Sequence, residues 1–167
     1  MNAITPTQRA ILASQSVHHR LRVKSVADGM AKSERAIKAS TNQKLGKKVT
    51  KGKWAGFRIF TLTLEERATC PPSCLHWADC YGNHMLNATR YVADAALIDQ
   101  IESDLTELQR KYPGGFLVRL HVLGDFYSVE YVAQWARWLG MFPALHVYGY
   151  TANQPDATDN KERAIGQ

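Results

Sequence analysis

All three cysteines of the chain lie in one stretch of fifteen residues, CPPSCLHWADCYGNH, which runs from Cys70 to His84 and is called the Cys loop below. The spacing is C-x3-C-x5-C, or C-x3-C-x5-C-x3-H when the histidine is counted. Clustered cysteines in a chain whose first residues show no secretory signal indicate metal or redox chemistry rather than a disulfide framework. We therefore predict a metal site formed by Cys70, Cys74 and Cys80, with His84 as a candidate fourth ligand.

Two metals fit this donor set, and the sequence leaves both open. Zinc would take the three thiolates and the imidazole as a closed tetrahedral site. The C-x5-C-x3-H part resembles the second half of the CCCH zinc fingers, a family that binds single-stranded RNA by stacking bases on aromatic side chains. An iron–sulfur cluster would take the three thiolates alone and leave one iron without a protein ligand.

A second group of reactive side chains lies in RLHVLGDFYS. Arg119 and His121 fall on one face of a predicted strand, where apolar residues are expected if both faces are buried. Gly124 and Asp125 follow at its carboxyl end, where the carboxylate could help to position a metal or accept hydrogen bonds from a bound amine. His146 lies in the similar segment LHVYGYT, and we expect it to line the same face as His121 if the two strands are neighbours in register.

Strands and helices alternate around these two segments, which indicates a parallel sheet. The predicted strands are 57–64, 116–123 and 144–151, and the predicted helices are 83–111, with Asp104 and Glu107 facing solvent, and the segment between Ser128 and Phe142. Parallel sheets bind ligands beyond the carboxyl ends of their strands, where both segments begin. We therefore predict an α/β fold with a small, mostly parallel sheet resembling a partial barrel, in which the Cys loop and Gly124-Asp125 lie side by side.

Positive charge is concentrated in the N-terminal third of the chain. Residues 1–53 carry twelve Lys and Arg against two acidic residues, whereas residues 54–167 carry nine against thirteen. We predict a basic arm of helix and loop over 1–55, including a helix over 5–23, an α/β core over 56–152 and a polar tail over 153–167. A basic arm on a mildly acidic core suits a polyanion, so nucleic acid is the predicted partner. The candidate contacts are Lys44, Lys47, Lys48, Lys51 and Lys53.

The position of the Cys loop resembles that of the cluster-binding loop in the radical S-adenosylmethionine superfamily. In that superfamily the loop follows the first strand, an aromatic residue stands beside the last cysteine, and a Gly-Gly-Glu-type motif follows the second strand. Tyr81 and the segment LGDF, with Gly124 and Asp125, occupy the corresponding places here, although the usual spacing is C-x3-C-x2-C. The resemblance implies a four-iron cluster that holds S-adenosylmethionine.

A closer resemblance covers roughly residues 42–155. The segments NQKLGKKVTKG, TCPPSCLHWADCYGN, RLHVLGDFYSVEYV and VYGYTAN are similar to the phage and prophage family named after gene product 88. In that family a cysteine loop with a Cys-Tyr pair is followed by a strand that ends in His-x-x-Gly-Asp-Phe. The resemblance implies the same architecture, and a setting in a phage or an integrated element.

Other function classes are narrowed by the same sequence. Neither a P-loop, a Gly-x-Gly-x-x-Gly segment nor a Gly-x-Ser-x-Gly elbow is present, so nucleotide binding of those types and serine hydrolysis are not expected. No apolar window is long enough to span a membrane, and we expect the protein in the cytoplasm of the bacterial host. Three parallel strands leave bare sheet edges, so a phage effector that binds a host protein by strand addition is a further alternative. Whether the protein catalyses a reaction stays open.

Overall fold

A computed structural model describes residues 23–28, 34–72, 74–76, 79–85 and 87–153. The helix predicted over residues 5–23 lies outside this part except for its last residue. The polar tail beyond Asn153 lies outside it as well. The described part contains both candidate segments and all three cysteines.

The main sheet has four strands in the order β2-β3-β5-β6. They are β2 (Lys38–Ala39), β3 (Arg58–Thr61), β5 (Phe116–Leu120) and β6 (Leu145–Gly149). The last three are parallel to one another, and β2 is antiparallel to β3. The predicted α/β class with a mostly parallel sheet is confirmed, and within the described residues the sheet forms no closed barrel.

A second, two-stranded sheet replaces the start of the predicted long helix. In it β1 (Val23–Lys24) runs parallel to β4 (Arg90–Tyr91). The first long helix, α1, therefore covers Ala95–Lys111, and the prediction that it begins near Asn83 was wrong. Asp94 fixes the start, because its side chain accepts a hydrogen bond from the backbone N–H of Leu97 and so caps the helix.

Both helices pack on one face of the main sheet. Helix α1 and helix α2 (Val129–Met141) contribute their buried faces to the same core as alternate residues of β5. Each buried side chain of this size stabilises the fold by roughly 1.5–3 kcal/mol. The core residues from these elements include Leu97, Ile101, Leu105, Tyr131, Trp135, Trp138, Phe116, Val118 and Leu120.

The opposite face of the sheet carries no helix among the described residues and is called the open face below. Register partners in a sheet point to the same side. Leu117 pairs with Ile59 and His146, and Arg119 pairs with Thr61 and Tyr148. These residues form the open face: Ile59, Thr61, Leu117, Arg119, His146 and Tyr148.

Part of the predicted arm packs into the core. Ala36 and Ile37 are buried, and the backbone N–H of Ile37 donates to Asp104 at 2.9 Å. The prediction that Asp104 faces solvent was therefore wrong, since its side chain closes an orphan amide of the segment that enters the core. Glu107 is half-buried rather than free in solvent, because it pairs with Arg35.

Candidate functional site at the carboxyl ends of the strands

The chain segments that follow β3 and β5 stay paired beyond the ends of both strands. The N–H of Val122 donates to the carbonyl of Leu62, and the N–H of Leu64 donates to that of Leu123. The predicted extension of the second strand to Leu123 is thus backbone pairing, although regular strand ends at Leu120. The Cys loop and the Gly124-Asp125 turn consequently leave the sheet side by side, as the topology predicts.

Gly124 lets the two segments touch. Its φ is +81°, and a Cβ at this position would lie 2.5 Å from Thr69 Oγ1 and 2.6 Å from Leu64 Cβ. Both the backbone conformation and the close approach require glycine. The next residue uses the contact, since the N–H of Asp125 donates to Thr69 Oγ1 at 3.1 Å.

Asp125 ties the ends of β5 and β6 together. Its side chain is 3 % exposed, and its oxygens accept from the N–H groups of Phe126 at 2.7 Å and Ala152 at 2.6 Å. Asn153 adds a bond to the carbonyl of Phe126 at 3.2 Å. Burial raises the pKa of the Asp125 carboxyl. The carboxylate is therefore engaged inside the protein, where it positions the turn beside the Cys loop.

The three cysteines are half-buried, free thiols in one neighbourhood. Burial raises the pKa of Cys70 to about 12, and negative charge on Asp125, Cys74 or Cys80 would raise it further. The backbone N–H of Arg67 opposes that shift without cancelling it. Cys70 is therefore a neutral thiol at physiological pH when no cation is nearby.

The thiols do not form a finished ligand set. Among the described residues, no group of three or more His, Cys, Asp or Glu side chains is arranged to hold a metal ion. His84 ends a short 3-10 helix, Tyr81–His84, and its side chain is exposed, as is that of Tyr81. The donor types suit a metal, but the ligands would have to converge by a movement of the loop.

A buried ion pair that the sequence analysis missed holds the second half of the loop. Arg90 Nε donates to Glu66 Oε2 at 2.6 Å, and the two side chains are 3 % and 2 % exposed. The Arg90 guanidinium also donates to the carbonyls of Gly82 at 3.0 Å, Ala88 at 2.8 Å and Met85 at 3.1 Å. One side chain thus anchors three points of the chain after Cys80.

Gly82 is part of the same anchor. A Cβ on this residue would lie 2.5 Å from Glu66 Oε1, so only glycine leaves room for the carboxylate. Arg67, beside Glu66, adopts a φ of 64°, which is rare for a residue other than glycine. Its guanidinium donates to Asn83 Oδ1 at 2.7 Å and so reaches the same turn. The start of the loop and its end are joined by these two arginines.

Three further predicted site residues lie apart from one another. His121 is buried on the helix side, where its ring meets Phe126 edge-on and its Nε2 lies 3.2 Å from the hydroxyl of Tyr131. Burial lowers its pKa to about 3, so it is neutral. Arg119 points instead to the open face. The prediction that Arg119 and His121 share a face was wrong, because the chain turns after Leu120.

His146 does not line a common site with His121 either. The register pairs His146 with Leu117, four residues before His121, although the two segments LHVYG and LHVLG look alike. The ring of His146 packs against those of Trp54 and Phe57, with centroid distances of 5.4 Å and 5.3 Å. It therefore supports the basic segment rather than the Cys loop.

The five candidate lysines are all exposed. Three of them, Lys44, Lys48 and Lys51, line a cavity of about 600 Å³ between the basic segment and the open face. We call this cavity the lysine groove. The groove is formed by Gln43, Lys44, Leu45, Gly46, Lys48, Val49, Thr50, Lys51, Trp54, Ile59, Leu117 and Tyr148.

These features define a two-layer α/β protein with a cysteine loop and a Gly-Asp turn at the carboxyl end of a parallel sheet. The family model described as Gene product 88 matches residues 31–163, which is most of the chain. The chain therefore belongs to the Gene product 88 family, a family of phage gene products.

Other comparisons add no relative. Searches of curated proteins and of solved structures find no match to the chain. The resemblance to the radical S-adenosylmethionine superfamily accordingly gains no support from them. As expected from the sequence, no helix in the described part of the chain is long and apolar enough to cross a membrane.

Proposed function

We propose that this phage protein binds a metal centre through Cys70, Cys74 and Cys80. One observation carries the proposal: charge on Cys74 and Cys80 acts on the Cys70 thiol, which means that the three sulfur atoms occupy one neighbourhood. That neighbourhood lies at the carboxyl end of a parallel sheet, where such sheets bind ligands.

The electrostatics of the loop favour a cation. Burial and mutual repulsion disfavour thiolates in the metal-free protein, as the raised pKa of Cys70 indicates. A metal ion supplies the missing positive charge and stabilises deprotonated sulfur. Binding should therefore release protons and weaken as the pH falls.

The scaffold around the loop suits a site that closes on its metal. The Arg90–Glu66 pair fixes the segment after Cys80, and Thr69 fixes the segment before Cys70 through its bond to Asp125 N. Between these anchors, the printed backbone bonds are local ones, such as Cys74 N to the carbonyl of Pro71. The cysteines can therefore move toward one another while the ends of the loop stay in place.

An iron–sulfur cluster is the preferred centre, and zinc is the alternative. Three thiolates without a grouped histidine suit a cluster, which would supply an iron with an open coordination position for a small ligand. The zinc alternative needs His84 as the fourth ligand. Since His84 is exposed and outside any metal-holding group of the described residues, the three-sulfur set is favoured.

Purification without oxygen tests the proposal. We expect a coloured protein that contains iron and sulfide, and we expect both to be absent when Cys70, Cys74 and Cys80 are replaced together by Ser. His84→Ala should keep the iron, as should the matched control His76→Ala, which alters another exposed histidine of the same loop.

Two other outcomes would count against the iron–sulfur centre. A colourless protein with one zinc per chain that is lost in His84→Ala, but not in His76→Ala, would establish the zinc alternative. A protein that binds neither metal in any form would overturn the proposal altogether.

A further inference from the structure

We propose that the lysine groove binds single-stranded nucleic acid, with phosphates on its lysines and bases on its aromatic rings. The groove lies against the open face of the sheet and not at the Cys loop. This inference is therefore independent of the metal centre and goes beyond it.

The groove is the focus of an uninterrupted run of positive charge. From residue 35 to residue 64 the chain has eight Lys and Arg and no acidic residue. Arg35 and Lys38, at the start of this run, are paired with Glu107 and Glu34. None of the ion pairs among the described residues involves a lysine of the groove, so its charge is available to an anion.

Two aromatic rings line the same groove. Trp54 rests on the ring of His146, which is itself stacked on Phe57 at a centroid distance of 5.3 Å and an interplanar angle of 26°. Tyr148 is half-buried on the open face, and burial raises its pKa, so its ring is neutral. Rings that are held in place by their neighbours present a surface on which bases can stack.

Lysines beside exposed rings distinguish this groove from a general basic patch. Proteins that bind single strands combine a cationic groove that follows the phosphates with aromatic side chains that stack on the bases. The floor of the groove, from Ile59 and Leu117, is apolar and suits an unpaired base. Its volume of about 600 Å³ lies within the roughly 300–1,000 Å³ that is usual for a ligand site.

A single strand is favoured over a duplex or an acidic protein. In a duplex the bases stack on each other, so the rings of the groove would gain nothing. An acidic protein surface could neutralise the lysines but would not need the rings. The proposal therefore predicts that lysines and rings both contribute to binding.

Salt dependence tests the lysines. Binding of a fluorescein-labelled oligothymidylate, measured by fluorescence anisotropy, should weaken steeply with salt. Each phosphate contact on a single strand contributes roughly 0.7 to the slope of log K against log salt, so three lysines predict a slope near −2. Lys48→Ala should lower the magnitude of the slope by about 0.7. Lys53→Ala is the matched control, since Lys53 is exposed on the same segment but outside the groove.

Substitution of the rings tests stacking. Tyr148→Ala should weaken binding by roughly 5- to 150-fold, which corresponds to the loss of one stacked base. Tyr148→Phe keeps the ring and should bind as the wild type does. Circular dichroism of both variants shows whether the fold is kept, and Trp54→Phe serves as a second ring-preserving variant.

Several results would overturn the inference. Equal losses in Lys48→Ala and Lys53→Ala would indicate general attraction and no groove. Unchanged binding by a folded Tyr148→Ala, or equally tight binding of a duplex, would exclude stacking. Equal competition by polyglutamate would point to an acidic protein partner instead. Because the groove is separate from the Cys loop, the triple Cys→Ser variant should still bind the oligonucleotide, whichever metal result is obtained.

Discussion

Replacement of Glu66 by Gln should loosen the Cys loop more than any other single change to a charged residue in the described part of the chain. The substitution keeps the shape of the side chain but removes its charge. Arg90 is then left buried with no neutralising carboxylate, since its side chain is only 3 % exposed. Removing one partner of a buried ion pair costs about 3–5 kcal/mol.

That cost is large relative to the stability of a domain of this size. Single domains unfold with free energies of about 5–15 kcal/mol. Urea unfolding should therefore show a clear fall in the midpoint for Glu66→Gln. Because the guanidinium holds the carbonyls of Gly82, Met85 and Ala88, much of the loss should appear as local opening of the loop.

Thiol labelling under native conditions measures that opening directly. A destabilisation of about 3 kcal/mol corresponds to a population of the open form that is roughly 100-fold higher. The cysteines should therefore react faster with a thiol reagent by up to that factor. Glu107→Gln is the matched control, because it makes the same chemical change in an ion pair near the surface and should leave the labelling rate unchanged. Equal unfolding midpoints and equal labelling rates in the two variants would refute the role given to the buried pair.

Three further predictions concern stability, and urea unfolding checks each of them. The pKa of His121 falls from 6.5 in the unfolded chain to about 3 in the fold, so its contribution is present above pH 6.5 and is lost as the pH falls toward 3. Wild-type protein should lose about 3 kcal/mol more than His121→Gln between about pH 7 and pH 4, and parallel pH curves would contradict this. The pKa of Asp104 is raised by burial, so its contribution is present below 3.8 and is lost as the pH rises. Asp104→Asn should therefore lose less stability than the wild type between acidic and neutral pH, and an equal loss would argue against the shift. Gly124→Ala should destabilise by about 1–3 kcal/mol through its contacts and its positive φ. Gly140→Ala, in open space on α2, should not, so equal effects would contradict the argument from close contact.

The order of the main elements could be predicted because local sequence decides it. The alternation in the segments around Ile59 and Val118 identifies strands, and the cap at Ser128 identifies the start of α2. The juxtaposition of the Cys loop with Asp125 follows from parallel topology alone. These features need no knowledge of particular side-chain contacts.

Pairings between distant residues could not be predicted in the same way. The strand at Arg90–Tyr91 exists because it pairs with Val23–Lys24, and nothing local marks it against the helical pattern that follows. Asp104 looks like a solvent-facing residue until the segment at Ile37 is known to cover it. The similar segments around His121 and His146 suggest a shared register, but the backbone pairing of β5 with β6 is offset by four residues.

The anchor of the Cys loop was missed for a related reason. Glu66 and Arg90 are twenty-four residues apart, and each alone resembles an ordinary surface charge. One local signal was available, namely Gly82 within the loop, whose missing side chain makes room for the carboxylate. Sequence alone does not reveal which side chain uses that room.

Metal content per chain tests the central claim most directly. Protein purified without oxygen should contain iron and sulfide in fixed proportion to the chain, and the variant with Cys70, Cys74 and Cys80 replaced by Ser should contain neither. The proposal would be contradicted if the wild-type chain and the triple variant held the same amount of metal, or if neither held any.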